Sequence, residues 1–321
     1  MDHQAKGTRK GTGGGKGNDV KADLIAVVVA VTKGEPRVLT IGQASALPSG
    51  PFELDHRSLQ SGLRAWVERQ TSHPLGYIEQ LYTFADRDRI GDELQRVISI
   101  SYLGLTREDQ TERSPTHGWH GWYDYFPWED HRSGIPAIVP EILMPQLQAW
   151  AEDADDPDMH HDRWQRATIA FGLDERDWNE ELVLQRYELL HEAALVAEAK
   201  HSGNTGSALS IPGRPMTADH RRILATGIGR LRTKIKYRPV VFELMPATFT
   251  LLQLQRTVEA LAGRLVHKPN FRRLVEQQDL VEGTGETMSD TGGRPAKLFR
   301  FRQTVLAERT VAGTKLPLSR A

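Results

Sequence analysis

The fold of the C-terminal third is decided by the segment TLLQLQRTVEALAGRLVHKPNFRRLVEQQ, residues 250–278. Thr250 followed by Gln253 matches a helix-start capping box, and Gly263 is typical of the position after a helix. Between them, apolar residues recur at intervals of three and four, at Leu251, Leu254, Val258 and Leu261. The segment therefore predicts an amphipathic helix that begins after Thr250 and ends at Gly263.

A second helix and a hairpin follow the first helix closely. Residues 268–278 place Phe271, Leu274 and Val275 on one inward face, which predicts a short helix with a polar opposite face. Leu280-Val281, a glycine-rich turn and the alternating residues of 297–302 predict two paired strands. Two helices and a strand pair in this order predict a winged helix-turn-helix.

The polar face of the second helix and the hairpin supply candidate DNA-contacting residues. In a helix-turn-helix, the second helix enters the major groove and presents its first residues to base edges. Arg and Asn can make paired hydrogen bonds to guanine and adenine, whereas Lys neutralises phosphate. The candidates are Lys268, Asn270, Arg272 and Arg273 on the helix and Arg294, Lys297 and Arg300 on the hairpin. They predict a double-stranded DNA partner, and the alternative is the solvated face of a protein-binding winged helix.

The charge of the chain changes sign along its length. From Arg214 to Ala321 there are 20 Lys and Arg residues against 9 Asp and Glu residues, a net charge of +11. The remainder has 21 against 33, a net charge of −12. This division favours a module that meets a polyanion, attached to a domain with another task.

Composition excludes several classes of protein. The chain of 321 residues contains no cysteine, and its longest apolar run, residues 24–31, is far short of the roughly 20 residues that cross a bilayer. We therefore expect a soluble cytoplasmic protein without a membrane partner. The glycine-rich residues 1–20 are expected to be a disordered arm, and residues 311–321 a tail.

The first part of the chain has the pattern of a mixed α/β domain. The β-branched runs 24–32 and 37–42 predict two strands, and 77–84 and 96–105 predict two more. Helical periodicity lies between them, at Leu59, Leu63, Trp66 and Val67.

Two further helices and one loop are predicted before the basic module. Trp178–Lys200 and Asp219–Lys236 each have apolar residues at helical intervals. The acidic segment 152–162 is expected to be a solvated loop, because its adjacent His160-His161-Asp162 lack the spacing of a metal site.

The segment 50–71 resembles the Nudix box, in which a glycine-containing loop precedes a helix that carries metal-binding glutamates. Gly50, Arg64 and Glu68 fit that pattern, whereas Ala65 and Arg69 replace two of the glutamates. His56 replaces a further carboxylate of the loop. Mg²⁺ needs several hard oxygen ligands, and this helix supplies only one at the matching positions. The departures predict that hydrolysis is lost and that neither a cofactor nor a resident metal is present. Arg64 could alternatively form an ion pair with Glu68 at i+4.

Longer segments resemble the Nudix-related transcriptional regulators of NAD metabolism. The matching stretches are YIEQLYTFADRDR at 77–89, VISISYL at 97–103, FELMP at 242–246, FTL at 249–251, NFRR at 270–273 and GRPAKLFRF at 293–301. The resemblance implies a homodimeric repressor whose Nudix-like domain binds ADP-ribose and whose winged helices bind a palindromic operator near NAD-biosynthesis genes. The effector would lie in the former substrate cleft, and the implied lining residues are Arg64, Glu68, Arg69, Tyr82, Phe84, Arg87 and Arg89.

The expected fold class is α/β plus α+β. A Nudix-like α/β/α sandwich is expected over residues 21–200, a linker and connecting helix over 201–239, and a winged helix-turn-helix domain over 240–310. Two alternative functions remain open. One is an active ADP-ribose pyrophosphatase with metal ligands outside the box helix, such as Glu53, Asp55 or Glu79. The other is a scaffold that uses both modules for protein contacts.

Overall fold

A computed structural model describes residues 20–85, 96–108, 116–201, 213–237, 240–288 and 295–302. The expected arm and tail lie outside the described residues, except that Val20 is the first residue of a strand rather than part of the arm. No helix within these described ranges is long and apolar enough to cross a membrane.

The N-terminal part contains a six-stranded mixed sheet. Its strands are β1 Val20–Thr32, β2 Glu35–Ile41, β3 Ser49–Pro51, β4 Ile78–Phe84, β5 Arg96–Leu105 and β6 His117–Gly121. The strand order is β4-β5-β1-β2-β6, with β3 paired to β1. The β1 strand runs parallel to β5 and antiparallel to β2 and β3. It is buried from Leu24 to Ala30, as its continuous apolar run indicates for a central strand covered on both faces.

Helix α1, Leu59–Thr71, covers one face of this sheet. It begins at a capping box formed by Ser58 and Ser61, which satisfies free N–H groups of the first turn. Leu63 and Val67 are fully buried and pack against apolar side chains of β1. The predicted helix after Gly50 is confirmed.

Five α-helices lie between β6 and the C-terminal segment within the described residues, and α6 packs against the opposite face of the sheet. They are α2 Met144–Glu152, α3 Pro157–Phe171, α4 Val183–Glu192, α5 Ala197–His201 and α6 His220–Tyr237. The predicted helix Asp219–Lys236 is thus confirmed as α6. It lies very close to the sheet at Gly227, where a Cβ would be 2.9 Å from Cγ1 of Val27. Helices on both faces confirm the expected α/β/α sandwich.

The prediction of one long helix over Trp178–Lys200 is wrong. The chain leaves helical geometry after α4, with Ala194 at φ 56°, and becomes helical again at α5. Leu195 and Val196 lie in this break and are buried in the core. Burial of these two side chains therefore overrides the local helical periodicity.

The prediction of a solvated loop over residues 152–162 is also wrong. Most of the segment belongs to α3, whose N-cap residue Asp156 accepts a hydrogen bond from the Met159 N–H at 2.8 Å. Pro157 follows in the first turn, where its missing N–H costs nothing. His160, His161 and Asp162 are exposed residues of this helix.

The C-terminal segment is a winged helix. A 3-10 turn, Val240–Leu244, precedes α7 Leu251–Ala262, α8 Lys268–Gln277, β7 Val281–Met288 and β8 Ala296–Phe301. Both hydrogen bonds of the Thr250 and Gln253 capping box are present, and Gly263 ends α7 at φ 72°. Phe249 and Phe299 exchange backbone hydrogen bonds of 2.9 and 2.8 Å, which join the wing to the segment before α7. The predicted helix boundaries are confirmed.

The winged helix packs directly against the helical face of the N-terminal part. A single cluster of buried apolar side chains extends from Val27 of β1 through Leu224 and Leu231 of α6 to Leu254 and Leu261 of α7. Displacement of α7 relative to α6 would expose part of this core to water.

Candidate functional site

The α8 helix presents a cationic, solvent-exposed face. Its half-buried Phe271 and buried Val275 pack inward, as predicted. The prediction is wrong for Leu274, which is exposed because it lies at the edge of the apolar stripe. The four predicted DNA-contacting residues of the helix, Lys268, Asn270, Arg272 and Arg273, are all exposed. None of the ion pairs among the described residues involves the three cations of this set, so their charges are available to a polyanion.

The wing carries fewer free charges than its sequence suggests. Lys297 is exposed. Arg300 donates to the Glu282 carboxylate across the hairpin at 2.7 Å, so its charge is already balanced. Arg294 lies outside the described residues. Of the three predicted wing contacts, Lys297 is therefore the one that the structure leaves open to phosphate.

A buried carboxylate fixes the turn between α7 and α8. Glu259 accepts hydrogen bonds from the Val266 N–H at 3.0 Å and from the Gln255 amide at 2.9 Å. The acceptor on Glu259 satisfies a backbone donor that the turn would otherwise leave unpaired. Glu259 thereby positions the start of α8, although its own side chain is buried and cannot contact DNA.

The end of α7 is bound to the N-terminal part by three hydrogen bonds to its last carbonyl groups. Tyr123 Oη donates to the Ala260 carbonyl at 2.7 Å, and Arg232 Nε of α6 donates to that of Leu261 at 3.0 Å. The His131 N–H donates to the Gly263 carbonyl at 2.7 Å. We call these three contacts the α7 clamp.

The α7 clamp is built around a fully buried carboxylate. Glu129 accepts from both Arg186 and Arg232, and all three side chains are essentially inaccessible to solvent. Burial would raise the pKa of Glu129, but the two guanidinium groups outweigh it and hold that pKa below its ordinary value. Removal of the carboxylate would leave two buried cations unpaired.

Two aromatic rings, His131 and Trp178, pack against the arginines of the α7 clamp. The rings of His131 and Trp178 stack with centroids 3.9 Å apart, and the Arg186 and Arg232 guanidinium groups lie within 5.5 Å of the Trp178 ring. Burial lowers the pKa of His131 to about 4. The ring is therefore neutral at physiological pH and adds no further charge to the two arginines.

The α7 clamp could not be predicted from the sequence, because its members are far apart in the chain. Arg232 and Glu129 are 103 positions apart, and no local pattern pairs them. The available signal was Arg232 itself, which lies four positions after Ile228 and next to Leu231, on the apolar stripe of α6. Its complete burial requires a partner, since charged side chains are rarely buried alone.

Three of the expected effector-binding residues, Arg64, Glu68 and Arg69, lie on α1, which packs against the preceding loop. Trp66 Nε1 donates to the Pro51 carbonyl at 2.9 Å, and its ring lies where a Cβ on Gly50 would be. The Arg69 guanidinium stacks over Trp66 at 4.6 Å. Arg69 and Glu68 are exposed to solvent.

Arg64 lies beneath this surface. Its guanidinium donates to the Leu75 carbonyl, and in the described part of the chain it does not pair with Glu68. The alternative of an ion pair along the helix is therefore wrong, because the loop after α1 offers a closer acceptor.

The other two described effector candidates, Tyr82 and Phe84, lie on the opposite face of the sheet. Phe84 is buried in the α6-side core with the Arg222 guanidinium 4.7 Å from its ring, and Tyr82 is exposed with its ring 4.9 Å from that of Phe84. The structure therefore does not join them with the α1 residues in one cleft. Arg87 and Arg89 lie outside the described residues.

The α1 side carries a group of possible metal ligands, Glu53, Asp55 and His56, whose ligand atoms lie within 4.8 Å of one another. His56 Nδ1 accepts the Glu53 N–H at 3.0 Å, which places the ring proton of neutral histidine on Nε2. Nε2 in turn faces the Glu53 carboxylate at 3.8 Å. Neither ring nitrogen then offers a free lone pair to a metal.

Glu79, another ligand considered for an active hydrolase, is also engaged. Its carboxylate pairs with Lys234 of α6, lies 3.9 Å from Arg230 and accepts the Tyr77 hydroxyl at 2.9 Å. It lies on the α6 side of the sheet, away from Glu53 and Asp55. These carboxylates therefore do not converge on one cation.

A family model identifies the C-terminal segment. The NrtR DNA-binding winged helix domain matches residues 241–301. This segment is therefore similar to a DNA-binding winged helix domain. Its α8 is the second helix of the winged helix, and the exposed cations described above lie on it.

A curated relative provides a second comparison. The ADPR-responsive transcriptional repressor NtrR of Acinetobacter baylyi is 37% identical over 83 residues, which are 26% of this chain and 33% of that protein. The chain thus matches about a third of the length of this curated relative.

Solved structures show the same architecture. Shewanella oneidensis NrtR in complex with a 27mer DNA aligns with a TM-score of 0.52 and 19% identity, covering 89% of this chain and 95% of that one. A MutT/nudix family protein from Enterococcus faecalis aligns with a TM-score of 0.52 and 17% identity, covering 88% of both chains. These similarities confirm the fold, a Nudix-like sandwich followed by a winged helix. The family model and the Acinetobacter relative confirm the resemblance to Nudix-related regulators.

Proposed function

We propose that the protein is a DNA-binding transcriptional repressor of NAD biosynthesis or salvage genes, with a Nudix-like domain that senses ADP-ribose or a related nucleotide. The observation that carries the proposal is the exposed, unpaired cationic face of α8, on a winged helix bound to the N-terminal part through the α7 clamp. This arrangement supplies both a surface for DNA and a mechanical connection to a sensor.

Two relatives support the two halves of the proposal. The Acinetobacter relative is named as an ADPR-responsive repressor, and the Shewanella protein of the same fold was crystallised with DNA. The basic charge of the C-terminal third agrees with a polyanionic partner. A protein with this partner works where the genome is, which in a bacterium is the cytoplasm.

The Nudix-like domain is proposed to bind its nucleotide without cutting it. Ala65 and Arg69 stand where the Nudix box has glutamates, and Arg69 would repel a cation bound beside Glu68. Glu79 pairs with Lys234 on the other side of the sheet from Glu53 and Asp55, which supports the proposal because these three alternative carboxylates do not converge on one cation. Binding without turnover suits a sensor, because the effector then persists at its site.

A homodimer completes the proposal. One winged helix covers a short half-site, and a palindromic operator needs two of them in a two-fold arrangement. The sensor is assigned to residues 21–200, the connection to 201–239 and the DNA-binding domain to 240–310.

The proposal is tested by selecting bound fragments from the source genome with purified full-length protein. We expect enrichment of palindromic fragments, and we expect a variant with Lys268, Arg272 and Arg273 replaced by Ala to lose that enrichment. In a second experiment the protein is incubated with Mg²⁺ and ADP-ribose, and we expect that no AMP is released. Equal enrichment by the triple variant would reject the α8 surface, and AMP release would reject the silent sensor.

A further inference from the structure

A cavity of about 340 Å³ lies inside the winged helix, where α6 meets it. Its walls come from the end of α6, the 3-10 turn before α7, both helices α7 and α8, and the wing. Most of the lining is apolar and includes Phe242, Leu254, Val258, Phe271 and Phe301. A volume of this size is at the lower end of the range for small-molecule sites in proteins.

One end of the cavity is charged. Glu180 and the side chains of Arg232, Lys236 and Arg264 line it. Glu180 pairs with Lys236 at 2.9 Å and with Arg264 at 3.3 Å. Arg264 is half-exposed, and its contact with Glu180 uses only part of its five N–H donors.

Cations exceed carboxylates by one in the ion-pair network at this end. The network consists of two groups, Glu129 with Arg186 and Arg232, and Glu180 and Glu181 with Lys236 and Arg264. The Arg232 Nη1 group joins them by donating a hydrogen bond to the Glu180 carbonyl at 3.0 Å. Glu129 neutralises only one of its two arginines, and Lys236 shares Glu180 and Glu181. The charge of the apolar cavity is therefore complementary to one additional negative charge.

We infer that this cavity binds a small amphipathic monocarboxylate. The apolar body of the ligand fills the space between α7, α8 and the wing, and its carboxylate accepts hydrogen bonds from Arg264 and Lys236. An aliphatic chain and an arylalkyl group share this chemistry, and the test below distinguishes them. The site is separate from the Nudix-like sheet, because its lining begins at Glu180 and continues through the winged helix.

A ligand in this cavity would change the affinity for DNA, a consequence that rests on the proposed function. Phe271, Leu274 and Val275 of α8 form one wall, and Ile235 and Lys236 of α6 contribute to another. A bound ligand touches both helices and so fixes the recognition helix relative to the connection with the sensor. The monocarboxylate would therefore act on DNA affinity independently of a nucleotide in the Nudix-like domain.

Binding is tested by calorimetric titration of the full-length protein without DNA, with octanoate, 4-phenylbutanoate and 1-octanol as probes. We expect saturable binding of a carboxylate probe at one site per chain, and binding of 1-octanol at least about tenfold weaker because it lacks the charge. The carboxylate that binds more tightly shows whether an aliphatic chain or an arylalkyl group fits the apolar part of the cavity. Failure of both carboxylates to bind, or equal binding of octanoate and 1-octanol, would overturn the inference.

Three variants locate the site. Val258→Phe fills the cavity and should abolish binding, and Arg264→Gln removes a half-exposed cation and should weaken it about tenfold. Arg256→Gln makes the same charge change on an exposed position of α7 outside the cavity and should leave binding unchanged. Octanoate binding that both cavity variants leave intact would place the ligand elsewhere and overturn the inference. Because no DNA is present, this outcome is independent of whether the protein is a repressor.

Discussion

Gly263 is required at the end of α7 by both its backbone and its neighbours. Its φ of 72° is in the left-handed region, and a Cβ there would collide with the Glu129 carbonyl and lie 2.6 Å from Arg232 Nη2. The residue therefore allows the α7 clamp to close around the helix end.

Gly263→Ala should lower the free energy of unfolding by about 2–3 kcal/mol, because it adds a steric collision to backbone strain. Gly134→Ala is the matched control, since Gly134 also has a positive φ but has open space where the Cβ would be. It should cost about 1 kcal/mol. Urea unfolding monitored by tryptophan fluorescence measures the free energy of unfolding of both variants. Equal decreases in the two variants would show that the collision at position 263 is relieved without an energetic cost.

His220 makes stability depend on pH. Its Nδ1 accepts the Leu47 N–H at 2.8 Å, and burial lowers its pKa to about 4. The unfolded chain takes up a proton below pH 6.5 and the folded chain does so only near pH 4, so stability falls as the pH drops between these values. His131 acts in the same direction.

His220→Asn retains an acceptor for Leu47 without the titration. Between pH 7 and pH 5 the natural chain should lose about 1–2 kcal/mol more stability than this variant. Urea unfolding at the two pH values measures the difference, with His161→Asn at an exposed position as control. An identical pH dependence in the natural chain and His220→Asn would refute the assignment.

Arg272 and Lys268 are expected to contribute differently to DNA binding. If Arg272 reads a base edge, Arg272→Ala should cost about 1–3 kcal/mol on the operator and relax specificity at one position. Lys268→Ala should weaken binding to all sequences and reduce the slope of log affinity against log salt by about 1. Fluorescence anisotropy on specific and scrambled duplexes over a salt series separates the two. A purely sequence-independent loss for Arg272→Ala would assign it to phosphate.

At the scale of elements, β4 decides which residues can share a ligand. The pairing of β4 with β5 shifts by one residue between Gln80 and Thr83, a β-bulge. Ile78 before the bulge faces the α1 side, and Phe84 after it faces the α6 side. Without the bulge, strict alternation would place Phe84 on the same side as α1.

The α1 face and the α6 face of the sheet give opposite predictions for which substitutions weaken effector binding. We expect ADP-ribose on the α1 face, where the Nudix-box resemblance lies, so Arg69→Ala should weaken ADP-ribose binding at least about tenfold. Arg69→Lys should retain part of the affinity, and Tyr82→Ala should leave it unchanged. Calorimetric titration of the three variants decides between the faces, and a loss confined to Tyr82→Ala would move the site to the α6 side.

The elements predicted correctly are those whose signals are local. The Thr250 capping box, Gly263 and the apolar stripes of α6 and α7 depend on neighbouring residues, so the sequence sufficed for them. The break at Ala194 and the bulge in β4 are set by burial against distant segments. No periodicity within the segment reveals such contacts, and the effector candidates were consequently grouped across two faces of the sheet.

At the scale of the whole molecule, α6 connects the Nudix-like sheet to the winged helix. Glu79 of β4 pairs with Lys234, and Glu129 pairs with Arg232, so the end of α6 contacts both the sheet edge and the clamp. The α7 clamp then transfers the position of α6 to the winged helix. Control by a nucleotide requires that its affinity differ between the DNA-bound and the released arrangement of these parts.

The most direct test is a titration of ADP-ribose into the complex of the full-length protein with its selected operator, followed by gel shift and by AMP detection. We predict that ADP-ribose lowers operator affinity by about tenfold or more, and that the operator lowers ADP-ribose affinity by the same factor, without AMP release. A complex that persists at saturating ADP-ribose, or one lost only as AMP accumulates, would contradict a silent nucleotide sensor that controls DNA binding.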